Sequence, residues 1–121
     1  MLKILIVEDD TFLQGLAAGR LQKEGYDVSV AGTTSDGKKK LSEDQFDGVL
    51  LDLMLPDEPG FEILKMMRAS DNYKNTPVIV FSNMSDDSEI KMATDLGATE
   101  YMIKANFTLD EVTQKVRSHV Q

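Results

Sequence analysis

The sequence contains no cysteine and no tryptophan, and its single histidine, His119, stands two residues from the end of 121. The absence of cysteine excludes disulfide bonds, zinc–thiolate sites and a cysteine nucleophile. One histidine is too few for a histidine-rich metal centre, and its terminal position argues against a Ser–His–Asp triad. We expect His119 to be a solvated residue at the end of a helix.

Long hydrophobic runs and an excess of positive charge are also missing. No segment approaches the ~20 apolar residues that a membrane helix requires. The N-terminal apolar run is far shorter than that of a signal peptide, because "EDD" follows "MLKILIV" directly. The formal net charge of −8 opposes binding to nucleic acids and to anionic membranes. We therefore expect a cytoplasmic protein that binds neither nucleic acid nor membrane through this chain.

The chain has the length and composition of one globular domain over residues 1–121, with 41% hydrophobic and 28% charged residues. Five short apolar runs predict strands, separated by segments with helical spacing. The predicted strands are Lys3–Val7, Asp27–Ala31, Gly48–Asp52, Pro77–Phe81 and Glu100–Lys104. Alternating strands and helices with short connections indicate an α/β fold, (βα)5, with a doubly wound five-stranded parallel sheet. The second strand alternates in polarity, which is typical of an edge strand.

Polar residues end or directly follow four of the five predicted strands, at the carboxyl ends where open α/β sheets bind ligands. These residues are Glu8, Asp9, Asp10, Asp52, Ser82 and Lys104. We interpret Asp10 as the N-cap of the first helix. If the first and third strands are neighbours, Asp9 and Asp52 converge, and a cation is needed to balance their repulsion. Mg²⁺ suits such a group, because it binds oxygen ligands and uses only one or two carboxylates.

Four motifs in order, "ILIVEDD", "LLDLMLPDEPGFEIL", "VIVFS" and "GATEYMIK", resemble the response-regulator receiver domain of two-component phosphorelay signalling. The resemblance covers Leu2 to about Val120, and the "VED" motif is common among receivers of transcription regulators. It implies a flavodoxin-like strand order, 2-1-3-4-5. It also implies that Asp52 accepts a phosphoryl group from the phosphohistidine of a sensor histidine kinase or phosphotransfer protein. Such a protein catalyses only its own phosphorylation and dephosphorylation, and is not otherwise an enzyme.

The resemblance also implies roles for the other site residues. The cofactor would be Mg²⁺, with Mn²⁺ as a plausible substitute. The metal ligands would be Glu8 (through water), Asp9, Asp52 and the backbone carbonyl of Met54. The phosphoryl group would be engaged by Ser82 and Lys104, while Ser82 and Tyr101 would form the switch. The switch would change the face of the fourth helix, fifth strand and fifth helix, which would contact an output domain, a downstream partner or a second copy in a phosphorylation-dependent homodimer.

The sequence departs from the family's pattern at two positions. Asn83 stands where a smaller residue is typical, and Ala105 replaces the proline that usually follows the lysine through a cis bond. A cis bond without proline costs about 3–4 kcal/mol. The alternative is a trans bond, with Lys104 approaching the site from a different direction, and this possibility stays open. We favour the cis form, because Lys104 must turn inward just as its strand ends.

Three alternatives compete with a phosphorylatable receiver. A haloacid dehalogenase phosphatase would need a second aspartate two residues after Asp52, where Met54 stands. A flavodoxin-like cofactor carrier would need a phosphate-binding loop after the first strand, where "EDD" repels phosphate. A degenerate receiver would act only as a protein-interaction module, but all the expected site residues are present.

Overall fold

Five strands and five α-helices alternate along the chain in the computed structural model, which describes residues 1–121. The strands are β1 (Lys3–Val7), β2 (Asp27–Ala31), β3 (Gly48–Leu51), β4 (Val78–Ser82) and β5 (Glu100–Ile103). The helices are α1 (Thr11–Lys23), α2 (Thr34–Glu43), α3 (Phe61–Arg68), α4 (Asp87–Asp95) and α5 (Leu109–His119), and a 3₁₀ turn spans Lys104–Asn106. No helix combines the length and the apolar character needed to cross a bilayer.

The strands form one parallel sheet in the order β2-β1-β3-β4-β5, which confirms the predicted fold and the edge position of β2. The bounds of β1 and β2 match the prediction, β3 and β5 each end one residue earlier than predicted, and β4 is shifted by one residue at both ends. Pro77 has no N–H to donate and stays outside β4. Ser82 joins β4 because it pairs with Ile103. These shifts place the polar residues at the last strand position or just beyond it.

The central strands β1, β3 and β4 are buried on both faces, and their successive side chains point to opposite sides of the sheet. On β1, Leu5 and Val7 contribute to one hydrophobic cluster of 16 buried residues, which also takes side chains from α2, α3 and α4. Ile4 and Ile6 contribute to a second cluster of 12 buried residues, beneath α1 and α5. This layering explains why the central strands are nearly continuous apolar runs.

Polar caps and glycines set the ends of the helices. The Asp10 carboxylate accepts hydrogen bonds from the N–H groups of Phe12 and Leu13, at 3.0 and 3.1 Å, which confirms Asp10 as the N-cap of α1. Gly25 and Gly97 follow α1 and α4 with φ of 94° and 101°, a region that favours glycine.

The connections lie at two opposite edges of the sheet. Those that leave the strands gather at the carboxyl edge, where the polar residues stand. Those that return from the helices occupy the other edge, at residues 24–26, 44–47, 69–77 and 96–99. The geometry of the carboxyl edge therefore decides what the protein can bind.

Candidate functional site

Asp52 lies directly after β3, and its side chain is only 5% exposed. Its N–H donates to the Val7 carbonyl at 2.9 Å, which extends the pairing of β3 with β1 by one residue. One carboxylate oxygen, Oδ1, accepts from the Met54 N–H at 3.0 Å, and Oδ2 accepts from the Lys104 ammonium at 2.8 Å. A buried carboxylate is tolerated here because both of its oxygens are hydrogen-bonded and one faces a positive charge.

Glu8 and Asp9 bring two further carboxylates to Asp52. Glu8 is buried, and its oxygens are 2.7 Å from the Lys104 ammonium and 3.1 Å from the Asp10 N–H, which donates. Burial raises the pKa of Glu8, and the hydrogen bonds from Lys104 and from the Asp10 backbone only partly oppose this effect. Asp9 is exposed. Each of the three acids places a carboxylate oxygen within 4.8 Å of the others, as the strand order predicts.

Lys104 is the cation within this acidic cluster. Its side chain is 15% exposed, and its ammonium group contacts both Glu8 and Asp52. Burial acts to lower the pKa of Lys104, but the hydrogen bonds to Asp52 and Glu8 outweigh it and leave the pKa raised. One ammonium group against three carboxylates leaves the cluster with net negative charge, so the cluster would attract a divalent cation.

The peptide bond between Lys104 and Ala105 is trans, because the chain contains no cis peptide bond, and our expectation of a cis form is wrong. Ile103 keeps an extended backbone, with φ of −76° and ψ of 125°, and the chain then bends in the 3₁₀ turn Lys104–Asn106. The turn redirects the backbone, and the long lysine side chain spans the remaining distance to Asp52. The inward approach of Lys104 therefore needs no proline.

Ser82 and Tyr101 both contact Met84, in the loop between β4 and α4. The Ser82 hydroxyl is fully buried and accepts a hydrogen bond from the Met84 N–H at 3.3 Å. The Tyr101 hydroxyl donates to the Met84 carbonyl at 2.6 Å. Burial, followed by the charges of Glu89 and Asp52, raises the pKa of Tyr101 to about 12. Sequence reasoning missed Met84, because its backbone makes these contacts and its residue type carries no signal for them.

Gly60, which sequence reasoning also missed, closes the loop that follows Asp52. Its N–H donates to the Leu53 carbonyl at 2.9 Å. A Cβ atom at this position would collide with the Asp52 carbonyl oxygen and would lie 2.8 Å from the Leu53 Cα atom. Only glycine fits, since backbone atoms cannot move aside as a flexible side chain can. A signal was present in the sequence, as a lone glycine directly before an amphipathic helix.

Comparisons with known proteins agree on one family. Residues 4–117 match the family model of the response regulator receiver domain. The chain is 35% identical over 118 residues to the response regulator ArlR of Staphylococcus saprophyticus, covering 98% of this chain and 52% of that protein. It is 37% identical over 118 residues to the uncharacterized transcriptional regulatory protein YvcP of Bacillus subtilis, covering 98% and 48%. The chain thus spans about half the length of these relatives.

Solved structures show the same fold. A CheY-like response regulator receiver domain protein from Methanospirillum hungatei superposes with a TM-score of 0.92 at 26% identity, over 99% of this chain and 94% of that one. The non-phosphorylated HemR receiver domain from Leptospira biflexa superposes with a TM-score of 0.90 at 30% identity, over 100% of this chain and 95% of that one. These matches support neither the phosphatase nor the cofactor-carrier alternative. With its strand order and its acidic cluster, the chain belongs to the receiver domains of two-component response regulators.

Proposed function

We propose that Asp52 accepts a phosphoryl group from the phosphohistidine of a sensor histidine kinase or phosphotransfer protein, with Mg²⁺ as cofactor. The observation that carries this proposal is the position of Asp52, between a backbone N–H donor and Lys104 and beside two more acids. The protein modifies its own aspartate and turns over no other substrate. A degenerate receiver is not favoured, because the acidic cluster and its lysine are present together.

The residues present fit a small divalent cation. The cluster offers only oxygen donors, which Mg²⁺ prefers, and Mn²⁺ accepts the same set. Asp9 is the best direct ligand because it is exposed, whereas Glu8 would act through water, as the family resemblance implies. Asp52 and the Met54 carbonyl would complete the protein ligands. Bound Mg²⁺ would screen the repulsion between Asp52 and the incoming phosphoryl group.

Three side chains would carry the transfer. The Asp52 carboxylate attacks the phosphorus atom as the bond to the donor imidazole nitrogen breaks, giving an acyl phosphate. The Lys104 ammonium binds a phosphoryl oxygen, since it already lies 2.8 Å from the attacking carboxylate. The Ser82 hydroxyl accepts from the Met84 N–H and keeps its own proton to donate to a second phosphoryl oxygen.

Mg²⁺ affinity should depend on Asp9 more than on Asp10. Replacing Asp9 with alanine removes a direct ligand and should weaken Mg²⁺ binding by more than about tenfold, because even groups behind the ligands contribute about 10–100-fold. Asp10→Ala should instead lower the free energy of unfolding by about 1 kcal/mol, through loss of the α1 cap. Calorimetric titration and thermal denaturation of both variants measure the two effects. An equal loss of affinity in the two variants would contradict this ligand assignment.

Phosphorylation would reach a distant face through Ser82 and Tyr101. The phosphoryl group adds charge and strong acceptors at Asp52. Ser82 would move to donate to it, and Tyr101 would rotate toward the vacated space. The contacts of both side chains with Met84 support this coupling, because a shift in that loop disturbs both. Only a difference in stability between two states can drive such a change, so we expect a biased equilibrium.

The responding face would be formed by α4, β5 and α5, and its charged residues include Glu89, Lys91, Asp95, Glu100 and Lys115. Arg117, which the sequence also placed there, instead pairs with Glu24 at the end of α1, at 3.3 Å. Mixed charge suits a symmetric dimer, an output domain or another reversible partner. Beryllofluoride with Mg²⁺ should change hydrogen exchange across residues 86–96 and around Tyr101, and sedimentation should report any dimer. The Asp52→Asn protein is the control and should not respond. Changes confined to the loop after Asp52 would refute the coupling.

A further inference from the structure

Asp57 joins the loop after Asp52 to the first turn of α2. Its carboxylate oxygens Oδ1 and Oδ2 accept hydrogen bonds from the Thr34 and Ser35 N–H groups, both at 2.9 Å. The first N–H groups of a helix have no partner within the helix and carry partial positive charge. The Ser35 N–H is the largest contribution that lowers the pKa of Asp57. An exposed side chain is therefore held at two points by a helix more than twenty residues away in sequence.

The first part of α2 is a fixed support for this contact. Thr34 is fully buried, and its hydroxyl donates to the Glu58 carbonyl at 2.7 Å. A Cβ atom at Gly37 would lie 2.8 Å from Ile63 Cδ1 and 3.2 Å from Val7 Cγ2, so α2 packs closely on α3 and on the sheet. The first turn of α2 cannot shift without disturbing that packing.

The same loop carries Met54, whose carbonyl is a proposed metal ligand. Met54 is 52% exposed, so packing of its side chain does not fix the peptide group that carries its carbonyl, and the hydrogen bond to Asp52 is made by the N–H of the preceding peptide group. Leu53 on one side is fully buried, which anchors the start of the loop. On the other side, the half-buried Leu55 and the Asp57 contacts restrain the chain before it turns at Gly60.

We propose that Asp57 is a positioning residue of the metal site, which holds the Met54 carbonyl in place by fixing the loop against α2. The inference rests on the proposed Mg²⁺ site. A ligand held in its binding orientation loses less freedom when the metal binds, so the affinity is higher. Asp57 itself contacts none of the acidic cluster.

The test compares Asp57→Ala with Glu58→Ala by calorimetric Mg²⁺ titration, at a temperature where circular dichroism shows both variants folded. Glu58 is a matched control: it is in the same loop and carries the same charge, but its side chain makes only an exposed ion pair with Lys38 at 3.1 Å. Its carbonyl, and hence the Thr34 bond, stays in the variant. We expect about tenfold weaker binding for Asp57→Ala and less than about twofold for Glu58→Ala. Asp57→Asn keeps one acceptor oxygen and should give an intermediate loss.

Either of two results would overturn this inference and leave the proposed function intact. An equal loss in the two alanine variants would show that the Asp57 contacts have no special role, because Glu58 shares only the charge of Asp57 and an exposed ion pair with Lys38 of α2. Wild-type affinity in Asp57→Ala, with a lowered melting temperature, would show that the contact only stabilises the fold. If the wild-type protein binds no Mg²⁺, the proposed function and this inference fail together.

Discussion

Asp52→Asn is expected to abolish covalent phosphorylation. Incubated with acetyl phosphate and Mg²⁺, the wild-type protein should gain the mass of a single phosphoryl group, and the variant should gain none. An amide lacks the nucleophilic oxygen of a carboxylate, although its oxygen can still accept from the Met54 N–H and preserve the loop. The neighbouring acids should not substitute, since Glu8 is held by Lys104 and Asp9 is a proposed metal ligand. Intact-mass spectrometry followed by peptide mapping measures the result.

Asp47→Asn is the control for this experiment. Asp47 precedes β3 at the opposite edge of the sheet, where its carboxylate accepts from the Lys3 N–H at 2.7 Å. Its variant loses the same charge without touching the acidic cluster, and should be phosphorylated as the wild type is. A label of similar yield on Asp52→Asn would show that another residue is the acceptor.

Lys104→Met should lower the free energy of unfolding by about 3 kcal/mol in the absence of divalent cations, because removing one partner of a buried ion pair leaves an uncompensated charge. Two partners are affected here, Glu8 and Asp52, with exposed side-chain fractions of 6% and 5%. Methionine keeps much of the apolar length of lysine, so lost packing contributes little. Urea denaturation measures the change.

Adding Mg²⁺ should stabilise Lys104→Met more than it stabilises the wild type, because a cation bound among the acids replaces the missing positive charge. Lys115→Met is the control. Lys115 also faces an acid, Glu100, but at 3.8 Å and with 47% of its side chain exposed, so its removal should change stability by less than about 1 kcal/mol. If both variants lose the same small amount, the pairs made by Lys104 do not stabilise the fold.

The fold could be predicted from the sequence because its strands are short, β-branched and separated by segments of helical period. The bounds of β1 and β2 matched, since their apolar and alternating patterns end at residues of different character. The convergence of Glu8, Asp9 and Asp52 could also be predicted, because parallel strands bring their carboxyl ends to one edge and β1 pairs with β3.

The parts of the site that escaped prediction depend on backbone geometry or on contacts distant in sequence. The cis bond predicted after β5 was wrong because residue types do not reveal a single 3₁₀ turn or how far a lysine side chain reaches. Met84 makes its contacts through its backbone N–H and carbonyl, and because every residue except proline has both groups, the residue type gives no signal. In the sequence, Asp57 is an ordinary acidic residue in a loop, and only the three-dimensional structure shows that it contacts the start of α2.

The edge opposite the acidic cluster offers a place to attach optical probes. Residues 69–77 form its longest connection, and Asn75 within it is exposed. Because the chain has no cysteine, a thiol introduced at Asn75 would be the only one available for coupling a fluorophore. The dye would lie away from the acidic cluster of Glu8, Asp9 and Asp52 and from the loop that Asp57 contacts. With a second thiol on the outer surface of α4, the distance between two dyes would report whether α4 moves when Asp52 is modified, as the proposed coupling predicts.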